Sequence, residues 1–347
     1  ADVIVIGSGI VGNATAYELA KRGKSVLVLE KYPNVGDGAS SRNGAGVRLA
    51  GRVSPEAELA AMAIYDIWPT LGEELDADLE YVVGGSLTMA HSESQMKSLQ
   101  VKLAKDLKAN VPSRIVDVNE ARAICPIISD YVEQALYSEM DGHANPMVTT
   151  LAYYRAARRL GVDYITGENV IALEKMHGCC RKVLTEAGNV YEAEHIVLAA
   201  GFNSRRIAKT VGLWIPFLKR VDECLITEVQ PPMTKVRLSS ADGNFYGSQT
   251  KHGSFISAAT RTSSAMRSAT TTAPSTRASS RRTSAARSAS SSRRSRTSRS
   301  SATGRAGWTP WSTVCPSFRR SPRCPAWCLP AASPATALPS ALPSARS

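Results

Sequence analysis

Beyond Asp242 the chain has no acidic residue, and beyond Lys251 it has no lysine. No apolar run reaches the roughly 18 residues that a membrane-spanning helix needs. The start shows no charged n-region followed by an apolar h-region, which disfavours secretion, so a soluble, cytoplasmic protein without a membrane span is expected. Seven cysteines are present, four in the front (Cys125, Cys179, Cys180, Cys224) and three behind (Cys315, Cys324, Cys328). None has paired zinc-ligand spacing, and adjacent Cys179 and Cys180 suit neither an ordinary disulfide nor a C-x-x-C site. Reduced, structural thiols and no metal are expected.

The missing acids divide the chain in two. Of 42 Lys and Arg, 15 Arg lie in Ser257–Ser347 and 27 lie before it, where all 30 Asp and Glu are found. The front therefore carries −3 and the back +15 of the formal +12. At roughly 100 to 200 residues per domain, the front has room for two interlocked domains and a sizeable core.

The front opens on Ala1–Ile6, ADVIVI, with no polar break after Asp2, as expected for a strand buried on both faces. Gly7-Ser8-Gly9-Ile10-Val11-Gly12 follows at once, then apolar residues at helical spacing from Asn13 to Arg22 and a helix stop at Gly23. A second strand, Ser25 to Leu29, ends on Glu30, 18 positions after Gly12. A bare G-x-G-x-x-G is a weak signal, but strand, glycine turn, helix, strand and terminal acid together form a dinucleotide-binding fingerprint. Gly7 permits the turn, Gly9 the approach of a pyrophosphate and Gly12 close helix–strand packing, while the helix N-terminus offers amides to phosphate. Glu30 is placed to bond ribose hydroxyls.

After Glu30 a plain nicotinamide dehydrogenase would soon begin another crossover helix. Here a small-residue loop intervenes instead, Lys31 to Arg48, containing Gly38-Ala39-Ser40-Ser41-Arg42-Asn43-Gly44-Ala45-Gly46-Val47. With this loop the chain resembles the D-amino-acid-oxidase-like flavoproteins, a family that includes glycine oxidase, the sarcosine oxidase β subunit and opine oxidase. In that family such a loop runs under the flavin. Gly167 to Leu173 resembles the family's strand beside the adenine, with Val170 contacting that ring through its backbone. Tyr191 to Ser204 resembles the strand and turn that close the site, with Ala200 and Gly201 where larger side chains would meet the cofactor. The resemblance thus assigns to FAD the residues Gly7, Gly9, Val11, Gly12, Glu30, Lys31, Ser40, Arg42, Asn43, Gly44, Ala45, Val170, Ala200 and Gly201.

Between these elements lie substrate-sheet candidates. Leu79 to Ala90 reads as two strands around Gly84-Gly85, and Val221 to Val229 as another. Phe245 to Ile256 resembles the family's substrate-side strand. Tyr246 and Gln249 are candidates there for contact with substrate, with a structural role as the alternative. Arg48, after the flavin loop, is a candidate partner for a substrate carboxylate, again with a structural alternative. Asp141 to Pro146 resembles the family's turn before the returning helix, and His143 in it reads as a polar surface residue. His91, His177 and His195 are not taken as catalytic either.

From Ser257 periodicity stops and Ser, Arg, Ala and Thr take over, which literally reads as a disordered basic tail. Such a charge block suits nucleic acid. Yet the change falls inside an expected strand, and the end is rich in Pro and Ala with Trp and Cys interspersed. The genetic code offers another explanation. If the true frame lies one base earlier, Pro325 to Ala345 permits P-G-L-V-x-A-G-G-F-S-G-H-G-F-A-I-G-P-A-V-G, which resembles the family's last motif. Trp308 to Ser317 permits L-D-A-M-V-D-G-V-P-V, and Ala258-Ala259-Thr260 permits G-G-D.

The expected architecture is α/β: a Rossmann-like, glutathione-reductase-type FAD domain (1–78 and 141–215) interleaved with an antiparallel-sheet substrate domain (79–140 and 216–256), followed by an out-of-frame tail (257–347). The resemblance implies oxidation of an amino acid or secondary amine, by hydride transfer from its α-carbon to flavin N5 and hydrolysis of the imine. No side-chain base is obligatory, and the electron acceptor is oxygen or a partner subunit. The family's GFSGHGF helix is missing from the frame as written, so the displayed chain is expected to be impaired. The alternative is a non-catalytic protein with an Arg/Ser-rich nucleic-acid-binding tail.

Overall fold

The computed structural model describes residues 1–217, 220–243, 245–259 and 303–308. The chain opens with β1 (Val3–Ile6), α1 (Ile10–Lys21), β2 (Val26–Glu30) and β3 (Gly46–Val47). Then come α2 (Glu56–Met62), α3 (Trp68–Leu75), β4 (Val82–Val83), β5 (Ser86–Ala90), α4 (Glu93–Lys108), β6 (Ser113–Asp117), α5 (Val118–Ile124) and β7 (Gln134–Ser138). A return leg holds β8 (Gly142–His143), α6 (Pro146–Arg159), β9 (Asp163–Thr166), β10 (Val170–Met176), β11 (Cys179–Thr185), β12 (Val190–Glu192), β13 (His195–Leu198) and α7 (Ser204–Lys209). Last are β14 (Arg220–Ile226), β15 (Arg237–Ser240), β16 (Tyr246–Gln249), β17 (Phe255–Ala259) and β18 (Thr303–Trp308).

The first sheet is parallel, in the order β13-β1-β2-β9. Its central strand is apolar throughout because both faces are covered. Val3 and Val5 join a core with Ala14, Tyr17 and Tyr153 from α1 and α6, while Ile4 and Ile6 join a second core with Val170, Val183 and Ile207. The antiparallel hairpin layer β10-β11-β12 and α7 supply that second face. Small residues on α1 let it lie close to α6, where the Tyr17 and Tyr153 rings meet edge to face at 5.8 Å.

The second large sheet runs β18-β14-β17-β16-β15-β5-β7-β6. It is antiparallel, as expected, except for the β15–β5 ladder, which is parallel with Arg237 opposite Ser86. Leu87, Ala135 and Val236 pack with Ala121 of α5 and with Cys125 just after it, whereas Ala90, Leu136 and Ala241 pack with Leu99 of α4. A small third sheet, β3-β8-β4, carries the loop after β2 toward the eight-stranded sheet. The two strands expected around Gly84-Gly85 thus belong to different sheets, and the Phe245–Ile256 segment is a hairpin rather than one strand. A side chain at Gly84 would collide with the carbonyl oxygen of Lys235, 2.0 Å from its Cβ position.

Within the segment expected to lack structure, Thr303–Trp308 forms a strand paired antiparallel with β14. The Pro325–Ala345 segment and most of the tail lie outside the described residues. Cys125 and Cys180 are free thiols, but Cys179 is disulfide-bonded, which corrects the expectation of reduced cysteines at that position.

Candidate functional site

The glycine turn joins β1 to α1 by close approach of main chain. Gly7 has φ +102°, and its Cβ would lie 2.6 Å from the Ala199 carbonyl oxygen; a Cβ on Gly12 would lie 1.9 Å from the Gly7 carbonyl oxygen. At Gly9 a Cβ would meet Ser40 Oγ at 2.9 Å, and that hydroxyl accepts the Ile10 amide at 2.9 Å. Ser40 therefore caps the first amide of α1. Among the described residues no acceptor is found for the amides of Val11 and Gly12, and the first turn holds no acid. Two open amides at the positive end of a 12-residue helix suit a phosphate.

Glu30, 7% exposed, ends β2 beside this turn. Its Oε2 accepts the Ser8 amide at 2.7 Å and its Oε1 the Tyr32 amide at 2.9 Å. A carboxylate has about four acceptor directions, so it can still take ribose hydroxyls. The main chain of Glu30 also receives the Glu168 amide at 2.9 Å, which brings the 167–170 segment alongside. Val170 is buried in the second core, and its carbonyl accepts from Arg206 Nη2 at 3.4 Å. Ala200 and Gly201 begin the turn after β13; Gly201 has φ +54° with open space at its Cβ position. Lys31 lies with its ammonium 4.4 Å over the Tyr32 ring, and exposed Arg42 reaches Asp37 at 3.9 Å.

Asn43 shapes the next stretch. Its Nδ2 donates to the carbonyls of Ala39 and Ser40 at 3.2 and 2.9 Å, and its Oδ1 accepts the Ala45 amide at 3.0 Å. This holds Ala45 in the left-handed region at φ +62°. The loop then meets the eight-stranded sheet where it has no side chains. A Cβ on Gly44 would lie 2.3 Å from Tyr246 Cε2, and one on Gly46 would lie 2.6 Å from Arg237 Nε. The Arg237 guanidinium sits 5.2 Å from the Tyr246 ring centroid.

Of the three sequence candidates for the substrate side, only Tyr246 abuts this loop. The Gln249 side chain clamps a neighbouring loop instead: Oε1 accepts the Met233 and Thr234 amides at 2.7 and 3.2 Å, and Nε2 donates to the carbonyls of Pro231 and Gly253 at 2.8 and 3.0 Å. Arg48 donates to the Ala50 carbonyl at 3.2 Å, at a turn fixed by Asp141 Oδ1, which accepts the Leu49 and Ala50 amides at 2.6 and 3.1 Å.

Two residues escaped the sequence reading. His143 is 6% exposed on the central strand β8, opposite Gly46 and Val82, so it is not a polar surface residue. Burial, reinforced by the charge of Arg237, lowers its pKa. Arg237 is 8% exposed, and burial first, then Arg48, pulls its pKa down to about 10. The one sequence signal was an arginine between Val236 and Leu238, in a strand whose neighbours are apolar.

A parallel sheet with a dinucleotide turn, tied through a small-residue loop to a large second sheet, defines a two-sheet nucleotide-dependent oxidoreductase fold, and the donors around α1, β2 and the 167–170 segment fit FAD. The chain belongs to the DAO family of FAD dependent oxidoreductases, whose family profile matches residues 2–326. It is 32% identical over 236 residues to glycine oxidase of Bacillus licheniformis, covering 65% of this chain and 60% of that protein. It is 27% identical to sarcosine oxidase subunit beta of Arthrobacter sp over 266 residues, or 74% of this chain and 65% of that one. The crystal structure of glycine oxidase from Geobacillus kaustophilus superposes with a TM-score of 0.68 at 24% identity, covering 76% of this chain and 72% of that one; this likeness shows the fold. The chain thus spans less than two thirds of the length of these two curated relatives. Among the described residues no helix is long and apolar enough to cross a membrane, and no cluster of three metal-ligating side chains is found.

Proposed function

We propose that the protein oxidises an amino acid or a secondary amine with FAD. The observation that carries this reading is the apposition of the Asn43–Val47 loop, which follows the nucleotide turn, to Tyr246 and Arg237 of the second sheet. Bound FAD would supply a hydride acceptor at that boundary. The chain's own residues do the rest. The Val11 and Gly12 amides bind phosphate, Glu30 orients ribose, the glycines keep the loop thin, and the Tyr246 ring bounds the substrate side. Buried His143, its pKa lowered, stays neutral near pH 7 and adds no second cation beside Arg237.

The division into an FAD part (1–78 and 141–215) and a substrate part (79–140 and 216–256) is part of the same proposal, as is a frame shift after about Ile256. The activity then belongs to the in-frame product, with oxygen or a partner subunit as electron acceptor. The names of the sarcosine and opine oxidase relatives, each a subunit, support the second acceptor. The test loads the displayed chain and a frame-restored chain with FAD and follows bleaching of the visible flavin band without oxygen. Glycine, N-methylglycine and a panel of D- and L-amino acids are the reductants. Bleaching of the restored chain, slower or absent in the displayed one, is expected; a restored chain that binds FAD and resists every amine would refute the reading.

A further inference from the structure

The face of the eight-stranded sheet that packs on α4 carries one buried polar row. Ser113 of β6 stands opposite Ser138 of β7, Ser138 opposite Ser86 of β5, and Ser86 opposite Arg237 of β15. The β15–β16 register, continued by one residue, puts Ser248 opposite Arg237. Residues directly opposite share a face, so five buried polar side chains line up across five strands. Two positions along, the same face is ordinary: Ile115 and Leu136 pack on Leu99, and the Thr88 and Ser239 hydroxyls bond each other at 3.0 Å.

In the polar row, Ser86 Oγ donates to Asp141 Oδ2 at 2.7 Å. Among the described residues no hydrogen-bond partner is found for Ser113 Oγ, Ser138 Oγ, Ser248 Oγ or Arg237 Nε. Buried hydroxyls are rarely left unbonded. Adjacent strands lie about 4.8 Å apart, too far for one hydroxyl to bond the next and suited to a water molecule between them.

The row ends on an acid. Asp106, in the last turn of α4, is fully buried; its Oδ1 accepts the Gly51 amide at 2.8 Å, and no protein partner is found for Oδ2. Burial, with the Asp141 charge adding to it, raises its pKa against the Gly51 amide, the nearby Ser113 hydroxyl and Arg48. Lys102, one turn earlier on α4, is the other charged group that feels it. Asp141 is already committed to three donors, the Leu49 and Ala50 amides and Ser86. At the opposite end Arg237 lies against Gly46, at the boundary between loop and sheet. A cation there and an acid at Asp106 give the row a polarity that drives a proton away from the loop.

We propose that the row Ser113-Ser138-Ser86 floors a file of buried water molecules along which a substrate ammonium at the loop boundary passes a proton to Asp106. This rests on the oxidoreductase reading above and gives that proton its destination. An amine must be neutral before its α-carbon gives up hydride. In the transfer one ammonium N–H bond breaks and leaves its electron pair on nitrogen. Each water takes one proton and hands on another, and an O–H bond forms at Asp106 Oδ2, so the carboxylate becomes a neutral acid. No oxidant or reductant is needed for this step.

Two measurements test it. On the full chain as written, without cofactor, infrared spectra follow the carbonyl band of a protonated carboxyl between about pH 8 and pH 5, and its shift on transfer to heavy water. Asp106→Asn, which keeps an acceptor for the Gly51 amide, should remove one such band. Ser138→Val, which sets an apolar side chain across the row, should slow the shift of that band, with Ser113→Val as the second variant should the first not fold. Absence of any band that Asp106→Asn removes, or a shift as fast in the valine variants as in wild type, overturns the proposal. On the frame-restored chain with FAD, bleaching by the best reductant of the panel above is followed against pH. Asp106→Asn should slow it roughly a hundredfold near neutral pH and approach wild type where the amine is neutral in solution, whereas a merely structural defect would lower the rate at every pH. An unchanged pH profile with normal FAD uptake sinks this inference alone. A restored chain that binds FAD and resists every amine refutes the oxidoreductase reading and the substrate step with it, while the infrared measurement still decides the buried file.

Discussion

The side chains of Asn13 and Ser8 close a ring beneath the glycine turn: Ser8 Oγ donates to Asn13 Oδ1 at 2.8 Å, and Asn13 Nδ2 donates back to the Ser8 carbonyl at 3.2 Å. The same fully buried carboxamide donates to the Thr150 carbonyl at 3.3 Å and accepts from the Tyr164 hydroxyl at 3.2 Å. One side chain thus ties the turn to α1, α6 and β9. Asn13→Ala strands these partners without water, and a loss of about 2–4 kcal/mol is expected. Urea unfolding measures it; a loss under about 0.5 kcal/mol would show that the network does not stabilise the fold.

Gly12 has no space for a side chain, since its Cβ would sit 1.9 Å from the Gly7 carbonyl oxygen. Gly12→Ala must push α1 away from β1 and displace the phosphate-facing amides. A stability loss of about 1–3 kcal/mol and a weakening of FAD binding beyond tenfold (order of magnitude) are expected. Gly23→Ala is the control. Gly23 has φ +75° with nothing within 4 Å of its Cβ position, so only local backbone strain of about 1 kcal/mol should appear, with FAD affinity retained.

Glu30 serves the fold and the cofactor at once. Glu30→Gln keeps the size but has one acceptor oxygen for the Ser8 and Tyr32 amides, which leaves one of them unpaired. Destabilisation of about 1–2 kcal/mol and roughly tenfold weaker FAD, read by quenching of flavin fluorescence, are expected. Equal FAD affinity in the two proteins would remove Glu30 from the ribose site.

His143 makes stability depend on pH in a fixed direction. Its pKa is lowered in the folded chain, by burial first and then by Arg237, so below about pH 6.5 the unfolded chain binds a proton that the folded chain refuses. Its contribution is therefore full above the unfolded value and is lost as pH falls through the folded one. The slope from this one group is at most about 1.4 kcal/mol per pH unit. His143→Gln should flatten the loss between pH 7 and pH 5 seen by chemical denaturation; parallel curves for the two proteins would contradict this.

The reading frame is directly checkable. The nucleotide sequence around the codons for Phe255 to Thr260, followed to the end of the gene in all three frames, should continue in a neighbouring frame through the GFSGHGF motif to a normal stop. Absence of that motif from every frame would make the basic tail genuine.

The first strand, the glycine turn, α1 and Glu30 were legible because each rests on local chemistry. A buried parallel strand must be apolar on both faces, and tight main-chain approaches must be glycine. The hairpin Phe245–Ile256 was less legible, since the pairing of Gly247 with Ser257 that folds it back on itself depends on the neighbouring strands. His143 was misjudged for a related reason: a His after Asp-Gly reads as a surface turn until β3 and β4 close on both sides of it.

The sequence by itself determined the nucleotide half, the cofactor class and the family, because these depend on glycine spacing and on residues near each other along the chain. Tertiary structure alone decided which side chains front the loop. Arg237 and Gly46 lie 191 positions apart, and nothing local reveals that a strand arginine will be stripped of water against a glycine. Gln249 shows the converse, a plausible polar candidate whose bonds are all consumed by its own loop once the chain folds. Burial and partner geometry, unlike motif spacing, exist only when distant segments meet.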